Sequence, residues 1–304
     1  FGIPPNSYGD YAFLLHLVKS LKSKGKGAII LPHGVLFRGG DEAEIRQNLI
    51  KRGYIKGIIG LPANLFYGTG IPACIIVIDK ENAANRKAIF IIDASKGFVK
   101  DGNKNRLRER DIHKIVDIFT RELELEKYSR LVSHEEIERN DFNLNIPRYI
   151  DNIEPEELQD IRAHLYGGIP GHDIHSFDDY WKVMPSLKTK IFSAFDTADY
   201  MKPNVEPQEM RKTILADDEF KTFKDSLFGH FEGWKAQTTT FLKKLKAEDE
   251  PKAVITEISE SLLNTFADLP LIDKYDVYQM MMQYWEEAMS DDVYYICVEG
   301  WKEG

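Results

Sequence analysis

The sequence predicts an α/β fold in its first half and a mainly α-helical second half. Two observations favour this fold class. Segments with helical and strand-like patterns alternate through residues 1 to 92, in the order helix, strand, helix, strand, strand, strand. Beyond Asp151, apolar residues recur at helical spacing in segments that Pro or Gly mostly separate. The first half therefore corresponds to the trailing half of a doubly wound sheet, and we expect the missing strands to precede Phe1 in a longer protein.

The first predicted element is a helix that ends before Gly25. Its apolar residues are spaced i, i+3, i+4, i+7 and i+10, which places them on one helical face: Tyr11, Leu14, Leu15, Val18 and Leu21. A short buried strand at residues 28 to 31 and a helix at residues 41 to 52 follow. Three apolar runs then predict strands at residues 58 to 61, 73 to 78 and 88 to 92. Their alternation with helices implies parallel strands, and their nearly continuous apolar character is typical of burial on both faces.

A basic segment follows the last of these strands. Its seven cationic residues are Lys96, Lys100, Lys104, Arg106, Arg108, Arg110 and Lys114. Such a segment is usually a solvated connection, but its place in the positively charged half also allows contact with phosphate, for which Lys100, Lys104, Arg106 and Arg108 are the candidates. Asp111 then caps a helix, and a capping box at Ser133 starts another.

Four longer helices are predicted in the second half, at residues 178 to 195, 217 to 245, 254 to 266 and 275 to 289. The chain is accordingly divided into three parts. Residues 1 to 97 belong to the α/β domain, residues 98 to 150 form a basic loop with a helical connection, and residues 151 to 304 form an acidic helical domain.

Length and composition narrow the classes of protein that the chain can represent. With 304 residues and 43% apolar content, two domains with sizeable cores are possible. No apolar run approaches the ~18 to 20 residues of a membrane span. The two cysteines, Cys74 and Cys297, are too few for a disulfide framework, so we expect a reducing cytoplasm.

The net charge of -9 is unevenly distributed along the chain. Residues 1 to 150 contain 24 Lys plus Arg against 18 Asp plus Glu, whereas the remainder contains 16 against 31. Affinity for nucleic acid rests on cationic contacts to phosphate, so only the first half offers a suitable surface. We expect the acidic half to meet protein or solvent.

Two adjacent aromatic residues, Phe66 and Tyr67, lie in a Gly-containing loop between the second and third predicted strands. An enzyme that acts on a nucleobase must take the base out of the stack and hold it against a flat apolar partner, which a loop aromatic beside a strand end can provide. The alternative is that both rings fold back onto the core, as most aromatic side chains do.

Three segments carry a resemblance to a known family. They are Leu31-Pro-His-Gly-Val-Leu-Phe-Arg-Gly-Gly40, Pro62-Ala-Asn-Leu-Phe-Tyr-Gly-Thr-Gly-Ile-Pro72 and Asn140-Asp-Phe-Asn-Leu-Asn-Ile-Pro-Arg-Tyr149. In order and sequence they resemble the modification (M) subunits of type I restriction-modification systems, which are N6-adenine DNA methyltransferases. Residues 167 to 174 and 275 to 301 extend the resemblance into the C-terminal region of the longer members.

The resemblance implies a Rossmann-type methyltransferase that transfers a methyl group from S-adenosylmethionine to adenine N6 in DNA. It also implies a specificity subunit, a restriction subunit and a second copy of the modification subunit as partners. The family's Asn-Pro-Pro-aromatic motif and cofactor loop should lie upstream, because Ile3, which precedes the one Pro-Pro of this chain, has no side-chain acceptor. No catalytic residue is therefore assigned here, and the isolated chain is expected to be inactive and not to bind the cofactor.

Four residues of this chain match functional positions of the family. Phe66 matches the aromatic residue that stacks on the flipped adenine, with Tyr67 as the second choice. Asp10 and Phe13 match the segment that lines the cofactor and target pocket.

Other readings remain open from the sequence alone. A non-catalytic assembly or DNA-clamping module would also fit a chain that lacks the catalytic and cofactor motifs. A nucleotide-binding oxidoreductase would need a Gly-rich fingerprint that is not present.

His172 and His175 are spaced like metal ligands, but no cysteine or carboxylate set accompanies them, so no metal is assigned. His33 follows a strand without the partners of a catalytic triad, and a hydrogen-bonded loop histidine is the simpler interpretation.

Overall fold

The computed structural model describes residues 1–6, 8–153, 159–196 and 199–301. The chain divides into two compact units, Phe1–Glu154 and Pro155–Gly304. In the described ranges, no helix combines the length and the apolar character needed to cross a membrane.

The first unit is an α/β domain. Its helices and strands are, in order, α1 (Asp10–Ser20), β1 (Lys26–Pro32), α2 (Asp41–Lys51), β2 (Ile55–Gly60), β3 (Ala73–Asp79), β4 (Ala88–Asp93), β5 (Val99–Asp101), β6 (Lys104–Arg106), α3 (Glu109–Arg121), β7 (Ser129–Ser133) and α4 (His134–Arg139). Five strands form one sheet in the order β1-β3-β2-β4-β7, and β5 pairs with β6 in a separate hairpin. The predicted fold class is confirmed.

The prediction of parallel strands is wrong for most of this sheet. Only β2 and β4 pair in parallel, while β1 with β3, β2 with β3, and β4 with β7 are antiparallel. A helix connects β1 to β2, and these two strands do run in the same direction. The connection from β2 to β3 contains no helix, so β3 returns beside β2 in the opposite direction and separates it from β1.

Helices cover both faces of the sheet because the central strands alternate their apolar side chains. On one face, Ile58 of β2 and Ile89 of β4 pack in a core that includes residues of α1 and α2. On the other face, Ile59 and Phe90 pack in a core with residues of α3. At the edge of the sheet, β1 is not buried on both faces as predicted, since Ile30 is 52% exposed.

Two predicted helix starts have different outcomes. Ser133 is the N-cap of α4 and accepts a hydrogen bond from Glu136 N, as the capping box predicts. Asp111 is not a cap, which corrects the prediction. Arg108 occupies the N-cap position of α3, and Asp111 lies three residues later, where its carboxylate accepts from Arg108 N at 2.9 Å.

The second unit is mainly helical and includes a small sheet that was not predicted. Its elements are α5 (Ile161–Tyr166), β8 (Ile169–Pro170), α6 (Gly171–His175), α7 (Asp178–Val183), α8 (Pro185–Ile191), β9 (Phe192–Ala194), β10 (Tyr200–Pro203), α9 (Pro207–Ala216), α10 (Asp218–Leu242), α11 (Pro251–Thr265), α12 (Lys274–Tyr284), a π-helical turn (Trp285–Met289) and α13 (Ser290–Glu299). The helix predicted at residues 178 to 195 is interrupted at Pro185, because proline disfavours helical conformation in the residue before it. Met184 accordingly has φ -129° and ψ 65°.

Candidate functional site

Three strands of the first unit end at the same edge of the sheet, here called the carboxyl edge. β1 and β2 are each antiparallel to β3, and β2 is parallel to β4, so β1, β2 and β4 share one direction. Backbone hydrogen bonds of 2.9 Å join the segments at this edge, from His33 N to Pro72 O and from Ala94 N to Gly60 O. Ligands of open α/β sheets generally bind at the carboxyl ends of the strands. The carboxyl edge is therefore the candidate site.

Residues 61 to 72, here called the aromatic loop, connect β2 to β3 at this edge. The Phe66 side chain is 41% exposed and that of Tyr67 is 94% exposed. Leu65 packs against the core instead. The two rings do not fold back into the interior, which was the alternative considered from the sequence. Stacking of either ring on a base stays a prediction.

Lys104 contacts the backbone of the aromatic loop. Its ammonium donates to the carbonyl of Phe66 at 2.5 Å and to that of Thr69 at 3.3 Å. Lys104 was predicted to contact DNA phosphate, and that role stays a prediction. The structure adds a partner within the chain that the sequence did not indicate.

Asn105, the next residue of β6, holds the first part of the same loop. Its side-chain amide donates to Ala63 O at 2.7 Å, and its backbone N–H donates to Asn64 O at 2.9 Å. The side chain is buried, with 6% exposure. Sequence analysis missed Asn105, since nothing in the charged segment around it marks a buried amide.

The other predicted phosphate ligands have different surroundings. Lys100 and Arg106 are exposed on the β5–β6 hairpin, where Arg106 lies 3.4 Å from Asp101. Arg108 is bound within the chain, because its Nε and Nη2 donate to the two carboxylate oxygens of Asp111 at 2.9 and 3.1 Å. Hydrogen bonding to this carboxylate raises the pKa of Arg108. Of these three residues, Lys100 and Arg106 are the better placed to meet a polyanion.

Asp10 and Phe13, predicted to line a cofactor and target pocket, both lie on α1. Phe13 is 69% exposed. Asp10 Oδ2 accepts from Arg38 Nη1 at 2.7 Å, and the same nitrogen lies 3.3 Å from Oε1 of the buried Glu42. Arg38 therefore connects the start of α1 to the start of α2. Sequence analysis missed its role, although a single cation in the apolar, glycine-containing segment before α2 was a usable signal.

A second arginine, Arg46, holds together the backbone segments around Arg38 and Phe142. Arg46 is 3% exposed and donates to the carbonyls of Val35, Arg38 and Phe142 at 3.1, 3.0 and 2.8 Å. The Tyr11 hydroxyl donates to Val35 O at 2.7 Å, and burial raises the pKa of Tyr11 to about 12. These contacts fix the backbone that carries Arg38.

His33 and Asp93 follow β1 and end β4 at the carboxyl edge. The Asp93 carboxylate is buried and accepts from the side-chain amide of Asn152 and from Ser95 N, the latter at 3.0 Å. Burial lowers the pKa of His33, and the charge of Asp93 opposes this shift. The structure therefore favours a neutral His33, which can accept or donate a hydrogen bond at this edge.

Replacing His33 with Gln should reduce the loss of stability that acid causes. The folded-state pKa of His33 lies below its unfolded value of about 6.5, so the unfolded chain binds more protons. The contribution of His33 to the free energy of unfolding is present above pH ~6.5 and is lost as the pH falls through the folded pKa. Urea unfolding at several pH values measures this slope. The exposed His16→Gln variant is the control, and identical slopes for wild type and His33→Gln would contradict the assignment.

The glycine pair that precedes α2 does not fit S-adenosylmethionine, the cofactor that the resemblance implies. S-adenosylmethionine carries a carboxylate, which commonly needs backbone donors at a glycine-rich turn before a helix. Gly39 and Gly40 precede α2, but the first turn of α2 carries Asp41, Glu42 and Glu44. Their negative charges oppose an anionic group at this helix terminus. No step of a reaction is therefore assigned to the cofactor at this site.

His172 and His175 each lie beside a carboxylate on the surface of the second unit. The ring nitrogens are 3.2 Å from Asp173 and 3.3 Å from Asp178, respectively. Across the part of the chain that the structure describes, no group of three possible ligands could hold a metal ion. The pair therefore gives no support to metal chemistry.

Comparison with known proteins identifies a matching family model and several relatives. The family model described as N-6 DNA Methylase matches residues 1–158. The methylase subunit of the type I restriction enzyme MpnII from Mycoplasma pneumoniae is 33% identical over 189 residues, which cover 62% of this chain and 33% of the relative. The corresponding subunit of MjaVII from Methanocaldococcus jannaschii is 38% identical over 169 residues, or 54% of this chain and 29% of the relative. The chain thus spans about a third of the length of these relatives.

A solved structure belongs to the same group. The type I restriction-modification methyltransferase subunit from Streptococcus thermophilus is 47% identical, with a TM-score of 0.48, over 50% of this chain and 32% of its own. The family predicted from the three sequence segments is confirmed. Because the family model covers more than half of the sequence, the protein belongs to the N-6 DNA methylase family.

Proposed function

We propose that the chain forms the target-base side of a type I modification subunit that methylates adenine N6 in DNA. The observation that supports this most directly is the aromatic loop, which exposes Phe66 and Tyr67 at the carboxyl edge. The N6 atom cannot be reached inside a duplex, so the adenine must leave the stack and rest against a flat apolar surface. An exposed ring on a loop fixed at both ends and from the side provides that surface.

Each predicted site residue has a role under this proposal. Phe66 stacks on the extruded adenine, with Tyr67 beside it, and Asp10 and Phe13 line the adjoining pocket. Lys100 and Arg106 contact the DNA backbone. S-adenosylmethionine supplies the methyl group, bound by another part of the full-length subunit. The acidic second unit serves assembly with the specificity subunit, the restriction subunit and a second copy of the modification subunit.

The direct test is product analysis with the full-length subunit and its specificity subunit. DNA is incubated with isotopically labelled S-adenosylmethionine and digested to nucleosides, and the label is located by mass spectrometry. We expect it in N6-methyladenine. Label in a methylated cytosine would overturn the proposal. Binding of DNA without any methyl transfer would favour the assembly or clamping module instead.

Replacing Lys100 and Arg106 together with Glu should weaken DNA binding and reduce its dependence on salt. Each lost phosphate contact lowers the magnitude of the slope of log K against log salt by about 0.9, so a change of about 2 is expected. Fluorescence anisotropy of the assembled enzyme with labelled duplex, measured over a series of salt concentrations, gives this slope. The control replaces Glu286 and Glu287, exposed in the second unit, with Gln. If the control alters the slope and the hairpin variant does not, the DNA-facing surface has been misassigned.

A further inference from the structure

The aromatic loop is held mainly from outside its own sequence. Its ends are fixed by the sheet, where Leu61 N donates to Ala73 O at 2.9 Å. Within it, Ile71 N donates to Thr69 Oγ1 at 3.1 Å. Asn64 and Gly68 have positive φ values of 57° and 79°, which these two residue types adopt readily and which turn the chain without adding a bond within the loop. The position of the two rings therefore depends on what contacts the loop from the side.

The side support comes from two consecutive residues of the β5–β6 hairpin. Lys104 donates to Phe66 O and Thr69 O, on both sides of the exposed Tyr67. Asn105 donates to the loop through both its backbone and its side chain. The Asn105 Oδ1 atom is buried without a hydrogen-bond partner, which is energetically costly. The unsatisfied oxygen thus belongs to the same side chain whose amide group donates a hydrogen bond to the aromatic loop.

We infer that Lys104 and Asn105 are positioning residues that set the aromatic loop for stacking on the target adenine. This inference rests on the proposed function, and it gives Lys104 a role different from a simple phosphate contact. Two of the three N–H groups of its ammonium are used on the loop, at the carbonyls of Phe66 and Thr69. The hairpin therefore links the part of the surface that meets the DNA backbone to the ring that meets the base.

The test uses four variants of the full-length subunit in complex with its specificity subunit. Lys104→Met removes the ammonium donors and keeps the aliphatic stem. Asn105→Asp keeps the shape and removes the amide donor. Lys104→Arg keeps a cationic side chain with N–H donors, and Lys19→Met is the matched control on the exposed end of α1. The readouts are the single-turnover methylation rate, the DNA dissociation constant over a range of salt, and the fluorescence of 2-aminopurine placed at the target adenine.

Lys104→Met and Asn105→Asp should slow methylation by about ten- to a hundred-fold, as expected when a reacting group is held slightly out of place. They should lower the 2-aminopurine signal and leave the salt slope unchanged. Lys104→Arg should recover most of the rate, and Lys19→Met should match wild type. In a Phe66→Ala background, adding Lys104→Met should change the rate less than twofold, because both substitutions remove the same interaction.

Two outcomes would overturn the inference. The first is a Lys104→Met variant with normal rate and fluorescence. The second is an effect of Lys104→Met that is equally large with and without Phe66, together with a reduced salt slope, which would make Lys104 a phosphate contact only. Both differ from failure of the proposed function, in which the wild-type complex itself would produce no N6-methyladenine.

Discussion

Replacing Phe66 with Ala should slow adenine methylation by about 5- to 150-fold and change DNA affinity much less. Stacking of a base on an aromatic ring is worth ~1 to 3 kcal/mol, which corresponds to this range of rates. Duplex affinity comes largely from phosphate contacts, which Phe66 does not make. Single-turnover methylation and equilibrium DNA binding by the assembled enzyme separate the two effects.

Two further variants of the aromatic loop identify the ring that contacts the base. Ile71→Ala removes an apolar side chain that is 60% exposed on the same loop, and it should leave the methylation rate nearly unchanged. Tyr67→Ala should have a smaller effect than Phe66→Ala. A large loss for Tyr67→Ala with none for Phe66→Ala would assign stacking to Tyr67, whose ring is the more exposed of the two.

Replacing Arg46 with Met should lower the free energy of unfolding of the first unit by about 3 to 5 kcal/mol. The substitution leaves the backbone carbonyls of Arg38 and Phe142 without their donor inside the protein. The carbonyl of Val35 loses one of its two donors and keeps the hydroxyl of Tyr11. Each unsatisfied buried acceptor costs about 1 to 3 kcal/mol, and part of this is recovered by relaxation. Arg139→Met removes an exposed arginine of α4 and should change stability by less than about 0.5 kcal/mol.

The measurement needs a probe that reports on the first unit. All four tryptophans, Trp181, Trp234, Trp285 and Trp301, lie in the second unit, so the first unit has no tryptophan that would report on unfolding of its sheet. Hydrogen exchange of the amides of β2 and β4 in the 304-residue chain does report on it. Faster exchange there in Arg46→Met, with unchanged tryptophan fluorescence, is the expected result. Unchanged exchange in both strands would show that Arg46 contributes little to stability.

Local patterns were sufficient to predict the elements that bury apolar side chains. The helical spacing from Tyr11 to Val18 identified α1, and the apolar runs identified β2, β3 and β4. Patterns of this kind depend on a single element facing a core, which is why they can be read without the rest of the chain. They do not specify which strands pair. The insertion of β3 between β1 and β2 was therefore missed.

In the candidate site, too, local sequence patterns predicted some features, whereas contacts between residues far apart in the sequence were missed. The exposure of Phe66 and Tyr67 follows from their place on a loop, and the sequence indicated it. The contacts of Lys104 with the Phe66 carbonyl and of Arg38 with Asp10 join residues 38 and 28 positions apart. No periodicity records such pairs. The strands of the hairpin that carries Lys104 have three residues each, and Val99 and Leu107 are the nearest apolar residues on either side of its polar core, so they left no apolar pattern to recognise.

The hydrogen bonds from the β5–β6 hairpin to the aromatic loop do not depend on which side chains the loop carries. Lys104 and Asn105 donate to main-chain carbonyls, and every amino acid offers the same acceptor. The side chains at positions 66 and 67 can therefore change while the hydrogen bonds to the loop backbone are kept. The two rings can be exchanged for other aromatic or unnatural residues without removing the hydrogen bonds that hold the loop. The loop is therefore a suitable target for altering which base is accepted.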